Sequence, residues 1–187
     1  MNKQSVFIGN LFPKLLNEVE NYRLDSIYIL TDENTNQLCL NLLGQLNPLP
    51  ENIIKIKAGD DNKNIEALAS VWQHLSKQGA TRKSLLINLG GGMVTDLGGF
   101  AASTFKRGME YINIPTTLLG AIDAAVGGKN GINFNGLKNE VGVINPSKSV
   151  LIDVRFFKTL DHENFLSGYA EMIKHGLISN NEVWNHI

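Results

Sequence analysis

Ser84–Phe100 reads SLLINLGGGMVTDLGGF: a short apolar run, three consecutive glycines, then an amphipathic run carrying one acid, Asp96. The first six residues have the length and continuous apolar character of a strand covered on both faces. Glycines at its exit put backbone without side chains where a following helix would begin. The same unit recurs outward from this point. SVFIG precedes LFPKLLNEVENY, SIYILTD precedes NTNQLCLNLLGQL, and NIIKIKA precedes NIEALASVWQHLSKQ. Strands alternating with helical patterns predict an α/β fold, a parallel sheet with helices on both faces.

The texture changes after MEYINIP. Thr116–Ser149 is dense in Gly and Asn with isolated charges and little helical or strand period. Irregular segments of that length are functional or disordered, and the aliphatic residues spaced through this one argue for order. A strand-like SVLIDV follows, then ENFLSGYAEMIKHGLI, whose apolar spacing fits a helix. The chain stops at NNEVWNHI without a closing glycine, proline or polar tail, which reads as an interrupted protein. The expected division is residues 1–160 as an α/β domain and residues 161–187 as the first helical segment of a second, missing domain.

Composition narrows the function. With 187 residues and a net charge of −1, the chain is about one globular domain with no bias toward nucleic acid or anionic membrane. Its one cysteine, Cys39, excludes an internal disulfide framework and fits a reducing compartment. No run approaches the roughly 20 apolar residues of a membrane span, so a soluble cytoplasmic protein is expected.

The glycines admit two readings. In open parallel sheets, ligands bind beyond the carboxyl ends of the strands, where helix N-termini offer free N–H groups to phosphate. Gly90, Gly91 and Gly92 would let a pyrophosphate approach, and Asp96 could orient a ribose, an amide or a neighbouring loop. The alternative is a tight turn with close helix packing. GGGMVTDLGG is neither a clean GxGxxG nor a Walker A sequence, and GGKN at Gly127–Asn130 lacks the Walker spacing, which argues against a P-loop ATPase or kinase.

Taken together, LGGGMVTDLGGFAASTFKRG, IPTTLLGAIDAAVGGKNGIN, GLKN and SGYAEMIKHG occur in an order that resembles the 3-dehydroquinate synthase family from about Lys55 to Ile178. The resemblance covers the N-terminal half of such an enzyme and implies a Rossmann-like sheet with a helical C-terminal domain beyond it. It implies NAD and a divalent metal, zinc or cobalt, as cofactors. A seven-carbon sugar acid phosphate would be the substrate, cyclised with loss of phosphate, and a homodimer the assembly. NAD transiently oxidises a ring hydroxyl in such a reaction, and no net redox change results.

By the same resemblance, Gly91 and Gly92 receive the NAD pyrophosphate, with the hydroxyls of Thr116 and Thr117 beside it. Asp60, Lys63, Asp96 and Thr159 are assigned to the cofactor site, Asp60 standing where the family has Glu. Asp32, after the second strand, either takes the ribose hydroxyls or caps the next helix. Asp123, Lys129, Lys138, Asn139 and Lys174 match substrate positions, with Asp123, Lys129 and Lys138 also reaching the cofactor. Lysines there supply point charges for a carboxylate and a phosphate. Arg107 matches an arginine that reaches phosphate across the dimer interface; otherwise it is an exposed helix-end arginine.

Glu171 matches the metal-binding glutamate and lies one turn before Lys174 and His175 on one helical face. The family's two metal histidines belong to the missing domain, so weak zinc binding or none is expected of this chain alone. His74 and His186 read as structural or exposed, His162 as preceding a helix, and His175 as a surface histidine or a makeshift fourth-residue partner of Glu171. Asn130 stands where the family has Thr, and Asp161 where it has Pro.

Two rivals remain. A metal-dependent polyol dehydrogenase of the glycerol dehydrogenase type would show net NADH production, and the lysines of VGGKNGIN and GLKN argue against it. A stand-alone nucleotide-binding module would lack catalysis altogether. Another sugar phosphate cyclase would share the framework with a different substrate.

Overall fold

The computed structural model describes residues 4–44, 46 and 48–187. Strands β1 (Ser5–Ile8), β2 (Ile27–Asp32), β3 (Ile53–Ile56), β4 (Leu85–Gly90), β5 (Glu110–Pro115) and β8 (Ser149–Ile152) form one parallel sheet in the order β1-β8-β5-β4-β2-β3. All six residues of β4, at its centre, are buried, because helices cover both of its faces.

The period of two in β4 sorts its side chains. Leu85, Ile87 and Leu89 join Ile27, Ile29, Ile112 and Ile114 beneath helix α1 (Leu11–Val19) and the segment after the short helix α2 (Glu33–Leu38). On the other face Leu86 meets Tyr28, Leu30 and Tyr111 beneath α3 (Ile65–Lys77) and α4 (Gly92–Thr104). Each such fully buried aliphatic side chain contributes about 1.5–3 kcal/mol. The helix expected over NTNQLCLNLLGQL is split: α2 ends at Leu38 and a 3₁₀ turn spans Leu40–Leu43.

Two glycines let α4 come close to its neighbours. A Cβ on Gly98 would lie 2.0 Å from Asn88 Oδ1 of β4, and one on Gly99 would lie 1.9 Å from Asn130 Oδ1. The second glycine of LGGF thus seats a segment that arrives thirty residues later in the chain.

That segment corrects the expectation for Thr116–Ser149. A π-helical turn at Gly120–Ala124 leads into an antiparallel hairpin of β6 (Lys129–Phe134) and β7 (Leu137–Ile144), whose register slips between Ile132 and Phe134. Nearly all of β7 is exposed, so no apolar alternation marks it as a strand. Backbone pairing and asparagine side chains hold it instead. Past β8, Asp161 caps helix α5 (His162–Ile178), its Oδ1 accepting from Asn164 N at 2.8 Å. The acid that replaces the family's proline therefore starts this helix. Helix α5 packs back onto the turn after β5, where a Cβ on Gly168 would lie 2.6 Å from Leu118 Cβ, and a short α6 (Asn181–Trp184) follows.

Candidate functional site

The chain leaves β2 toward β3 on one side and leaves β4 toward β5 on the other. The connections after these adjacent strands therefore diverge, which opens a crevice at their carboxyl ends. Gly91 sits at this edge as the N-cap of α4 and offers no side-chain cap; Val94 N donates to Gly91 O at 3.0 Å, and the amides of Gly92 and Met93 before it have no acceptor within the helix. Thr116 N donates to Gly90 O at 3.0 Å, and Thr117 Oγ1 accepts from Gly120 N at 3.0 Å. Space explains the remaining glycines. A Cβ on Gly91 would lie 3.0 Å from Thr117 Cγ2, and one on Gly92 would lie 3.0 Å from Ala124 Cβ.

Beside this helix end is a cleft of about 470 Å³ lined by Asp96, Asp123, Lys129, Asn130 and Asn139, among others. Lys63 organises its wall. Only 4 % exposed, it carries its Nζ to 3.1 Å from Asp96 Oδ2, 2.6 Å from Asn139 Oδ1 and 3.5 Å from Asp60 Oδ1. Three elements distant in sequence meet on this one ammonium. Of the roles open to Asp96, the structure shows that of binding a neighbouring loop. Outside that lining, Lys138 Nζ lies 2.9 Å from Asp60 Oδ2. Burial would raise the Asp60 carboxyl, but the Lys138 hydrogen bond and the Lys63 charge hold it below the ordinary carboxylate range.

Asp96 is pushed the other way, up to about 6, because burial outweighs the attraction of Lys63. An aspartate in the unfolded chain titrates near pH 3.9. With the folded value higher, folding takes up a proton between these values, so the stabilisation is full below about pH 4 and is lost as pH rises through about 6. Asp96→Asn removes this dependence. Its stability relative to wild type should climb by roughly 2 kcal/mol between pH 4.5 and 7 in urea denaturation. A flat difference would mean that Asp96 stays ionised throughout.

Helix α5 brings a second group to the cleft. Glu171 is ion-paired with Lys174, and His175 Nε2 lies 3.3 Å from Glu171 Oε1. One donor atom each from Asp123, Glu171 and His175 lie within 4.8 Å of one another. Two carboxylate oxygens and an imidazole nitrogen at that separation fit a divalent cation such as zinc. His175, expected to be a surface histidine or a makeshift partner, is half-exposed and lies beside the Glu171 carboxylate. Lys129 Nζ lies 3.4 Å from Asp123 Oδ1 and connects this group to the cleft.

Other assigned residues do not join the cleft. Asp32 Oδ1 accepts from Thr35 N at 2.7 Å and forms a capping box with it, so the structure shows the helix cap. Thr159 Oγ1 donates to Phe156 O at 2.7 Å and lies 3.6 Å from Cys39 Sγ. Arg107 is exposed at the amino edge of the sheet, a helix length of roughly 20 Å from Gly92.

Two further residues escape the sequence reading. Asn133 Nδ2 donates to Asp60 O at 2.9 Å, and its Oδ1 accepts from Asn139 N at 3.0 Å, where Asn139 has φ 54°. Asn133 thus pins the strand that carries Lys138 and Asn139, and no spacing rule in GINF announces it. Asn130 Nδ2 lies within 2.9 Å of Tyr111 Oη, Gly128 O and Asn145 O. The departure from the family's threonine is therefore absorbed in holding the base of the hairpin.

Comparison with known proteins agrees with this geometry. A family model described as 3-dehydroquinate synthase N-terminal matches residues 53–167. The 3-dehydroquinate synthase of Parabacteroides distasonis is 53% identical over 184 residues, covering 97% of this chain and 52% of that protein. ValA, a 2-epi-5-epi-valiolone synthase from Streptomyces hygroscopicus subsp. jinggangensis solved with NAD+ and Zn2+ bound, superposes with a TM-score of 0.86 at 30% identity. That match covers 97% of this chain and 51% of the other. A 2-deoxy-scyllo-inosose synthase complexed with carbaglucose-6-phosphate, NAD+ and Co2+ has a TM-score of 0.80 at 26% identity, covering 94% and 50%. The chain spans about half the length of the relatives it matches. On the match across residues 53–167, the chain belongs to the 3-dehydroquinate synthase family.

Proposed function

We propose that this chain is the NAD-binding half of a 3-dehydroquinate synthase, an enzyme that converts 3-deoxy-D-arabino-heptulosonate 7-phosphate to 3-dehydroquinate with release of phosphate. One observation carries the reading: Asp96, Asp123, Lys129 and Asn139, assigned from separate motifs, line one cleft beside the N-terminus of α4, which has no side-chain cap. Family membership disfavours the polyol dehydrogenase alternative.

The residues divide the work by charge. The α4 amides and the hydroxyls of Thr116 and Thr117 receive the pyrophosphate, and Lys63 and Asp96 stand where the rest of the dinucleotide would lie. Glu171, with Asp123 and His175, would hold the metal in this half. When bound, NAD would supply a transient oxidation that acidifies a neighbouring C–H, and the metal would supply a Lewis acid for the substrate oxygens. Lys129, Lys138 and Lys174 bind the carboxylate and phosphate and stabilise charge that develops as the phosphate leaves. Asn139 orients the substrate from a backbone that Asn133 holds in place.

Residues 161–187 begin the second domain in this reading. Leu177 and Ile178, 68% and 71% exposed at the end of α5, are apolar surface for that domain to cover. Arg107 lies too far from its own cleft and serves a partner's in a homodimer. A cytoplasmic location agrees with a lone, buried Cys39 and with the finding that no helix among the described residues is long and apolar enough to cross a membrane.

Calorimetric titration of the chain with NAD, with ATP as the control, tests the cofactor site. NAD should bind and ATP should not. Binding of neither would show that the glycines only turn the chain, and equal binding of both would show a phosphate site with no preference for a dinucleotide.

A further inference from the structure

The lysines offered to an anion are already paired with neighbouring carboxylates. Lys129 faces Asp123 at 3.4 Å, Lys138 faces Asp60 at 2.9 Å, Lys63 faces Asp96 at 3.1 Å, and Lys174 is paired with Glu171. Four ammonium groups meet four carboxylates, so the formal charge of the set cancels. Two of those carboxylates, Asp123 and Glu171, also belong to the group that fits a divalent cation, together with His175. The Glu171 side chain is the better shielded of the two, 17% exposed against 36% for Asp123.

We propose that Glu171 is a switch shared by two ligands. Without a cation it neutralises Lys174. A divalent cation on Glu171, His175 and Asp123 draws both carboxylates away and frees Lys174 and Lys129 for a tetrahedral anion, so cation and anion bind with positive coupling. This rests on the proposed function only in placing an anion in the cleft. The coupling is reciprocal: an anion that captures the two lysines leaves the carboxylates free and strengthens the cation site. Its size is modest. Lys129 and Lys174 are 68% and 54% exposed, and solvent-exposed pairs of this kind are worth little individually.

The test is an NMR titration of the 187-residue chain with sodium sulfate at constant ionic strength, with and without zinc. Zinc should tighten sulfate binding several-fold. Glu171→Gln should tighten it roughly threefold without zinc, because Lys174 is released, and should abolish the zinc effect. In Lys174→Met, both the zinc gain and the added effect of Glu171→Gln should shrink, a non-additivity that general electrostatics would not produce. An unshifted sulfate affinity in Glu171→Gln would overturn the switch, as would a full zinc gain in Lys174→Met or the absence of sulfate binding in every form. Those outcomes leave the dinucleotide reading intact, whereas failure to bind NAD overturns that reading and leaves the coupling standing.

Discussion

Gly128→Ala should lose about 3 kcal/mol of stability, and Gly127→Ala about 1. The neighbours share a left-handed backbone, with φ of +73° and +88°, which disfavours any Cβ by roughly 1–2 kcal/mol. They differ in what the new atom meets. At Gly127 nothing lies within 4 Å, whereas at Gly128 the Cβ would lie 2.5 Å from both N and Cα of Pro146. Backbone cannot swing aside as a side chain can, so overpacking adds roughly 1–3 kcal/mol at the second position only. Gly128 O also accepts from Asn145 N at 2.9 Å, closing the base of the hairpin. The strain therefore falls beside Lys129 and should reach the cleft as well as the fold. Urea midpoints for the two variants decide the matter. Equal shifts would mean that the Gly128–Pro146 contact is looser than it looks.

Lys63→Met should be nearly as damaging, for an electrostatic reason. Removing one member of a buried pair leaves the other charged and unpartnered, a loss of roughly 3–5 kcal/mol. Here the Lys63 and Asp96 side chains are 5% and 17% exposed, and neutralisation of Asp96 relieves part of the penalty, so about 3 kcal/mol is expected. The double variant Lys63→Met, Asp96→Leu should recover most of it, because two apolar groups replace two buried charges. Recovery of stability would not bring back the hairpin's anchor, since Asn139 Oδ1 has lost its donor. Hydrogen exchange at Asn139 should therefore remain fast in the double variant. A double variant as unstable as the single one would show that Lys63 acts through Asn139 and Asp60 rather than through Asp96.

These two residues show where local reading stops. Lys63 could be assigned to a cofactor site because it falls in a motif-like GDDNK. Its reach to Asp96 and Asn139, 33 and 76 residues away, is a property of how α4 and the hairpin are stacked. Asp96 was open to several partners for the same reason. The hairpin is not legible in the sequence because periodicity reports burial, and β7 has almost none. His175 shows the converse: its helical spacing from Glu171 was plain, yet only the return of α5 onto the turn after β5 placed Asp123 beside both.

What the amino-acid order determined alone is the alternating α/β architecture, the glycine-rich exit of β4 and the helix carrying Glu171. Each depends on side chains within a few residues of one another, through continuous apolar runs, helical spacing and capping. Tertiary structure decided which charges meet. The pairing of Lys63 with Asp96 and of Lys138 with Asp60, the pinning of Asn139 by Asn133 and the distance of Arg107 from its own cleft all arise from contacts across the folded chain, whose strength depends on separation and burial that no stretch of sequence records.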